Sequence, residues 1–112
     1  MSIFMKATIK VDAHKAGEFI EVLEKNLIPL MEEQGWRLHG CFIQRFGPVQ
    51  PLVVIDIWEM EDMAHVDRVM KNNKYRSDPR YQDSMPVLQS AVIEEKLEFM
   101  EFRAGRLSRF YP

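Results

Sequence analysis

Ile3, Met5, Ala7, Ile9 and Val11 recur at every second position, with Phe4, Lys6, Thr8 and Lys10 between them. A period of two predicts a strand whose faces differ in character. The spacing then changes. In DAHKAGEFIEVLEKNLIPLMEEQG, Phe19, Leu23, Leu27, Leu30 and Met31 fall three and four residues apart, with Ile20 beside them. That is one apolar stripe on a helix. Asp12 is placed as its N-cap and Gly35 as its stop, and Pro29 inside the run predicts a kink.

Trp36, Leu38, Gly40 and Phe42 alternate with Arg37, His39, Cys41, Ile43 and Arg45 in a second strand. GPVQP is turn chemistry, and Leu52 to Glu59 forms a third strand, so the two predict an antiparallel hairpin. A second helix lies in EDMAHVDRVMKNNK, with Met63, Val66, Val69 and Met70 on its apolar side. SDPRYQDSMPVLQ opens with a cap, Ser77 or Asp78, followed by Pro79 at the first helical position. Pro86 is expected to limit that helix to about two turns. AVIEEKLEFMEFRA alternates imperfectly and reads as a last strand, with a short helix as the competing assignment.

The order is strand, helix, strand, strand, helix with an extra turn, strand. Two split βαβ units around a hairpin give an α+β, ferredoxin-like fold: a four-stranded antiparallel sheet with both helices on one face. The helices are expected to cover Ile3, Met5, Ala7 and Ile9, then Trp36, Leu38 and Phe42, then Val53, Ile55 and Ile57. The opposite face would carry Phe4, Lys6, Thr8, Arg37, His39, Cys41, Ile43, Arg45, Leu52, Val54, Asp56 and Trp58. That set is too apolar for water and too polar for a dry core. A second copy laid over it resolves the conflict, so a homodimer with a shared barrel is expected. Asp56, between Ile55 and Ile57, would then be buried within reach of Arg45, His39 or Lys6.

With 112 residues the chain suits one domain, residues 1–112, ending in a tail over 103–112. A net charge of −2 with mixed signs argues against nucleic acid as a partner. The apolar runs are too short to cross a membrane, and the N-terminus lacks the pattern of a signal peptide. Cys41 is the one cysteine, which excludes an internal disulfide and a cysteine metal cluster. A cytoplasmic protein is expected.

Asp56 admits two readings: a charge paired with Arg45 or Lys6 that fixes the dimer, or a general acid–base. His39, expected on the same face, could exchange protons with it. Arg45 would hold an oxyanion, and Cys41, Trp58, Tyr75 and Tyr81 complete the candidate binding set. Trp36 and Trp58 are expected on opposite sheet faces. The short extra helix flanked by Tyr75 and Tyr81 could cover a cavity between helices and sheet. His14 and His65 are expected to face solvent. The histidines show no ligand spacing, and no phosphate loop or dinucleotide fingerprint occurs, so neither metal nor cofactor is expected. Arg103, Arg106 and Arg109 make the tail basic enough to meet an anion or a neighbouring subunit.

LIPLMEEQG, LHGCFIQRFGPVQ, VIDIWEMEDMAHVDRV and DPRYQ, in that order over nearly the whole chain, resemble the NIPSNAP family. The resemblance implies ferredoxin-like domains paired as dimeric α/β barrels. Two positions depart from it: Asp56 stands where a histidine is common, and Cys41 where a tyrosine is common. The family has no single agreed biochemical role. The wider barrel superfamily includes cofactor-free monooxygenases, haem-handling enzymes, lactone isomerases and cyclases. Two functions are therefore carried forward. One is a cofactor-independent isomerase, cyclase or monooxygenase acting on a hydrophobic, aromatic or polyketide-like small molecule held in a cavity of the dimer. The other is a non-catalytic dimer that binds a ligand or a protein.

Overall fold

The computed structural model describes residues 2–45, 47, 49–72 and 74–105. Strand β1 (Ile3–Val11) leads into a 3-10 turn, Ala13–Lys15, where Asp12 accepts the backbone N–H of His14 at 3.0 Å. Helix α1 (Ala16–Val22) continues through a π turn, Leu23–Leu27, into α2 (Ile28–Glu33). Pro29 falls in the first turn of α2, where a missing N–H costs least. The widened turn just before it accommodates the ring, so the helix is modulated rather than broken. Gly35 ends this segment with φ +95°, a conformation that favours glycine.

Strands β2 (Arg37–Ile43) and β3 (Leu52–Met60) form the expected hairpin. Gln50, in their connection, accepts from Ala13 N–H at 2.8 Å and donates to Asp12 at 3.0 Å, tying the loop to the helix entrance. Helix α3 (Met63–Asn72), a 3-10 turn (Lys74–Ser77), α4 (Pro79–Ala91) and β4 (Val92–Met100) complete the chain. Asp78 caps α4 through Arg80 N–H, with Pro79 beside it. The stop expected at Pro86 does not occur, and α4 runs 13 residues through it. The carbonyl that loses its donor is that of Gln82, and Gln82 is exposed, so water can satisfy it. Ser84 fixes the helix from its buried side, donating to Arg80 O at 2.7 Å while accepting from Asn26 Nδ2 at 3.1 Å.

The sheet order is β2-β3-β1-β4, all antiparallel, which is the ferredoxin-like arrangement. Its register overturns part of the expected face assignment. Met5 lies opposite Trp58 and Phe99, Ala7 opposite Asp56 and Leu97, and Ile9 opposite Val54 and Glu95. Opposed residues share a face, so Val54, Asp56 and Trp58 point towards the helices. Val53, Ile55 and Ile57 lie on the other side with Phe4, Lys6 and Thr8. On β2 the register slips between Leu38 and Gly40. This bulge reverses the alternation at His39, which places Leu38, Cys41 and Ile43 all on the helix side. Phe42 goes to the other face, 56% exposed.

Two apolar clusters hold helices to sheet. Met5, Leu30, Trp36, Trp58, Met60, Val66, Val69 and Tyr75 form one, and Ala7, Ile9, Val11, Phe19, Leu23, Val54 and Ala91 the other. Trp36 and Trp58 meet edge to face at 6.0 Å, so they share a face rather than occupying opposite ones. His65 is buried, not solvated. Its Nδ1 accepts Glu61 N–H at 3.4 Å, and its Nε2 lies 2.9 Å from Gln34 O. The ring therefore carries its proton on Nε2 and donates it to that carbonyl.

Candidate functional site

Between the two clusters the helices do not close fully onto the sheet. A cavity of about 520 Å³ remains, a size suited to a small organic ligand. β1 and β3 supply its floor with Met5, Ala7, Ile9, Asp56 and Trp58. Phe19, Leu23 and Leu27 line one wall, and Met70, Tyr75, Tyr81 and Met85 another. The edge strand β4 contributes Glu95, Leu97 and Phe99. Leu97 and Phe99 point to the helix side yet remain 41% and 45% exposed, which marks the β4 side as the mouth.

Asp56 is 3% exposed and its Oδ1 has no hydrogen-bond partner. Burial pushes its carboxyl above the usual carboxylate range, and the Cys41 thiol and Trp58 indole oppose that shift only in part. Trp36 Nε1 is likewise buried without a partner. These are the two buried side-chain polar atoms left unsatisfied among the described residues, and both residues line the same cavity. One is an acceptor or acid and the other a donor. Such atoms are costly when nothing meets them. Glu95 is the second carboxyl of the lining. Desolvation raises its pKa, and the charge of Asp56 raises it further.

Tyr75 and Tyr81 meet edge to face at 5.5 Å and both line the cavity, as does Trp58. Cys41 stands across the β2–β3 ladder from Asp56. It is an exposed edge residue, yet desolvation around its sulfur and the Asp56 carboxylate push the thiol up to about 12. It is a poor nucleophile there.

The other candidates are placed elsewhere. His39 lies on the far side of the sheet, where Nε2 contacts Glu59 Oε1 at 2.6 Å and the ring stacks edge-on to Phe4. The sheet separates it from Asp56, so the expected Asp56–His39 pair is not formed. Arg45 is exposed beyond the end of β2 and is not part of the cavity lining. Neither it nor Lys6, across the sheet, pairs with Asp56, and the ion-paired interface reading of Asp56 is corrected accordingly. Asp56 is buried by its own chain. Arg103 is exposed, and Arg106 and Arg109 lie outside the described residues.

Sequence reasoning assigned Trp36 to packing and passed over Glu95. A signal for Glu95 existed: it precedes Leu97 and Phe99 by steps of two, so it is an acid on an apolar strand face. No group of three metal-ligating side chains occurs among the described residues. No helix among them is long and apolar enough to cross a membrane.

No curated protein matches the chain. Solved structures share its fold. An uncharacterized NIPSNAP-like domain protein from Burkholderia xenovorans matches with a TM-score of 0.76 at 20% identity, covering 96% of this chain and 91% of that one. A NIPSNAP family protein of Agrobacterium tumefaciens matches at 0.73 and 20%, covering 90% and 92%. A Caulobacter crescentus protein named provisionally as an antibiotic biosynthesis monooxygenase matches at 0.63 and 14%, covering 92% and 91%. At these identities the likeness is one of fold. The family model for NIPSNAP matches residues 7–103, and the chain belongs to the NIPSNAP family.

Proposed function

We propose that this protein binds a small hydrophobic carbonyl compound in the cavity between helices and sheet and catalyses proton transfer on it without a cofactor. The observation that carries this reading is the pair of buried, unpartnered polar atoms, Asp56 Oδ1 and Trp36 Nε1, in one apolar cavity. Asp56 is the base. Burial raises its proton affinity towards the working pH, which favours general base catalysis. It takes a proton from the carbon next to the carbonyl; the C–H electron pair becomes the new C=C bond and the carbonyl π pair passes to the oxygen. The Trp36 indole N–H donates to the resulting enolate, a fixed donor in a site of low dielectric. In a β,γ-unsaturated ketone the enolate is conjugated with the double bond, and returning the proton to the γ carbon shifts that bond and completes an isomerisation. The aromatic walls suit a planar ring substrate.

The test uses 2-tetralone as the probe and follows deuterium uptake at its activated carbons by NMR in D₂O. Uptake is expected with the wild type and should fall about 100-fold or more in D56N. Equal uptake in the two proteins sinks the catalytic reading. Binding of the ketone without exchange favours the non-catalytic ligand-binding alternative.

Self-association through the opposite sheet face belongs to the same proposal. Phe42 is 56% exposed there, and Val53, Ile55 and Ile57 are only half-buried, an apolar surface that a second copy would cover. Sedimentation at micromolar concentration should give a dimer, and a stable monomer would remove this element while leaving the cavity intact.

A further inference from the structure

The cavity has a charge character that its shape alone does not require. Asp56 and Glu95 are its two ionisable acids, and none of its described lining residues is lysine, arginine or histidine. Arg76 reaches only Tyr75 of the wall and is not itself in the lining: it is exposed, donates through Nε to the Tyr75 hydroxyl at 3.2 Å and lies 5.7 Å from the ring centroid. Among the described residues Glu95 has no ion-pair partner, whereas its neighbours on β4 do, Glu94 with Lys10 and Glu98 with Lys96. The aromatic faces around these acids also favour positive charge. An anionic ligand would meet two carboxyls and no counter-charge.

The acids are not equivalent. Asp56 sits deep, opposite Ala7, whereas Glu95 sits on the exposed edge strand, opposite Ile9. Strand spacing puts their Cα atoms about 12 Å apart. Both side chains turn into the same space, so a bicyclic molecule can reach from one to the other. From this placement we infer that the ligand carries an ammonium group on its hydrophobic body and that Glu95 at the mouth binds it. This inference rests on the ligand-binding reading of the cavity. Glu95 then sets substrate class, while Asp56 and Trp36 meet the reacting end.

Three probes with one carbon skeleton test it at pH 7.5 by calorimetry: 2-aminotetralin, 2-tetralol and tetralin-2-carboxylate, which are cationic, neutral and anionic. The amine is expected to bind at least tenfold more tightly than the alcohol, and the carboxylate at least tenfold more weakly. In E95Q the ratio of amine to alcohol affinity should collapse to within threefold. Glu95 is exposed on an edge strand, so the variant is expected to fold, and its circular dichroism checks this. If the alcohol binds as tightly as the amine, or the carboxylate binds best, the inference fails while the ligand cavity stands. If the amine keeps its full advantage in E95Q, Glu95 is not the anchor and the inference fails. If none of the three binds, the inference falls together with the cavity reading on which it rests.

Discussion

Asp56 and Ala7 stand opposite each other in the β1–β3 ladder, and this pairing turns a carboxyl towards the helices, where its Oδ1 has no partner. A buried acid without a counter-charge opposes folding whenever it must ionise. The folded-state pKa of Asp56 lies above its ordinary 3.8. Its contribution is therefore most favourable below 3.8 and is lost as pH rises through the folded value. Asn carries no such burden. D56N should match the wild type near pH 4 and exceed it by roughly 1 kcal/mol near pH 8, a few degrees in Tm. Urea denaturation at both pH values measures the gap. A gap that shrinks as pH rises contradicts the placement of Asp56.

Cys41 supplies an independent probe of the same carboxyl. Its thiol is pushed up to about 12, by desolvation first and by Asp56 second. At pH 8 the thiolate fraction is then about 1,000-fold below that of a cysteine with the ordinary 9.0. Iodoacetamide should label Cys41 correspondingly slowly despite its exposure. D56N removes the charge but not the desolvation, so labelling should speed up by tenfold or more without reaching the rate of a free thiol. Mass spectrometry of timed aliquots gives both rates.

Outside the cavity lining Arg80 joins α4 to α2. It donates to Asp78 through Nε at 3.0 Å and Nη2 at 2.8 Å, and to Glu33 through Nη2 at 3.0 Å. These hydrogen bonds hold the Asp78 carboxyl down to about 2 and lower that of Glu33. Depressed carboxylates stabilise the fold above their ordinary values, and that contribution is lost as pH falls towards 2. This is opposite in sign to Asp56. In R80Q the fall in stability on acidification from about pH 4 should be shallower than in the wild type. Thermal melts in a pH series test it, and parallel curves would contradict it.

The strand and helix order was legible because period and turn chemistry agreed. Asp78 and Pro79 announced α4, and the alternation in β1 announced its buried face. The orientation of β3 was not legible, because both of its parities are apolar: Val53, Ile55 and Ile57 on one, Val54, Trp58 and Met60 on the other. A sheet covered on one side and half-covered on the other leaves no polar stripe to decide between them. The bulge at His39 compounds this by reversing β2 part-way along. Asp56, Trp58, Tyr75 and Tyr81 could thus be picked as unusual residues, yet their relation to His39 could not be fixed. Pro86 misled for a local reason, since the carbonyl it frees is on the solvent side of α4.

Gly35 illustrates a constraint with two separable parts. Its φ of +95° disfavours a side chain, and a Cβ there would lie 3.0 Å from His65 Nε2. G35A should cost about 2 kcal/mol in all, roughly half from the backbone conformation. In the H65A background the ring is gone and only the backbone part remains, so the same substitution should cost about 1 kcal/mol. Urea denaturation of the four proteins closes the cycle. Equal costs in both backgrounds would mean that the ring yields freely.

Trp36 tests the donor half of the site. W36F keeps most of the ring that packs edge to face on Trp58 but removes the buried N–H that has no partner. Losing an unsatisfied donor removes a penalty, and losing ring volume adds one, each about 1 kcal/mol. The unliganded protein should therefore melt within a few degrees of the wild type. Deuterium uptake by 2-tetralone should nonetheless fall at least tenfold, because the enolate loses its hydrogen bond. The fall should appear in kcat more than in KM, since the donor matters most when the oxygen carries charge. A variant that loses stability and activity in proportion would return Trp36 to a packing role.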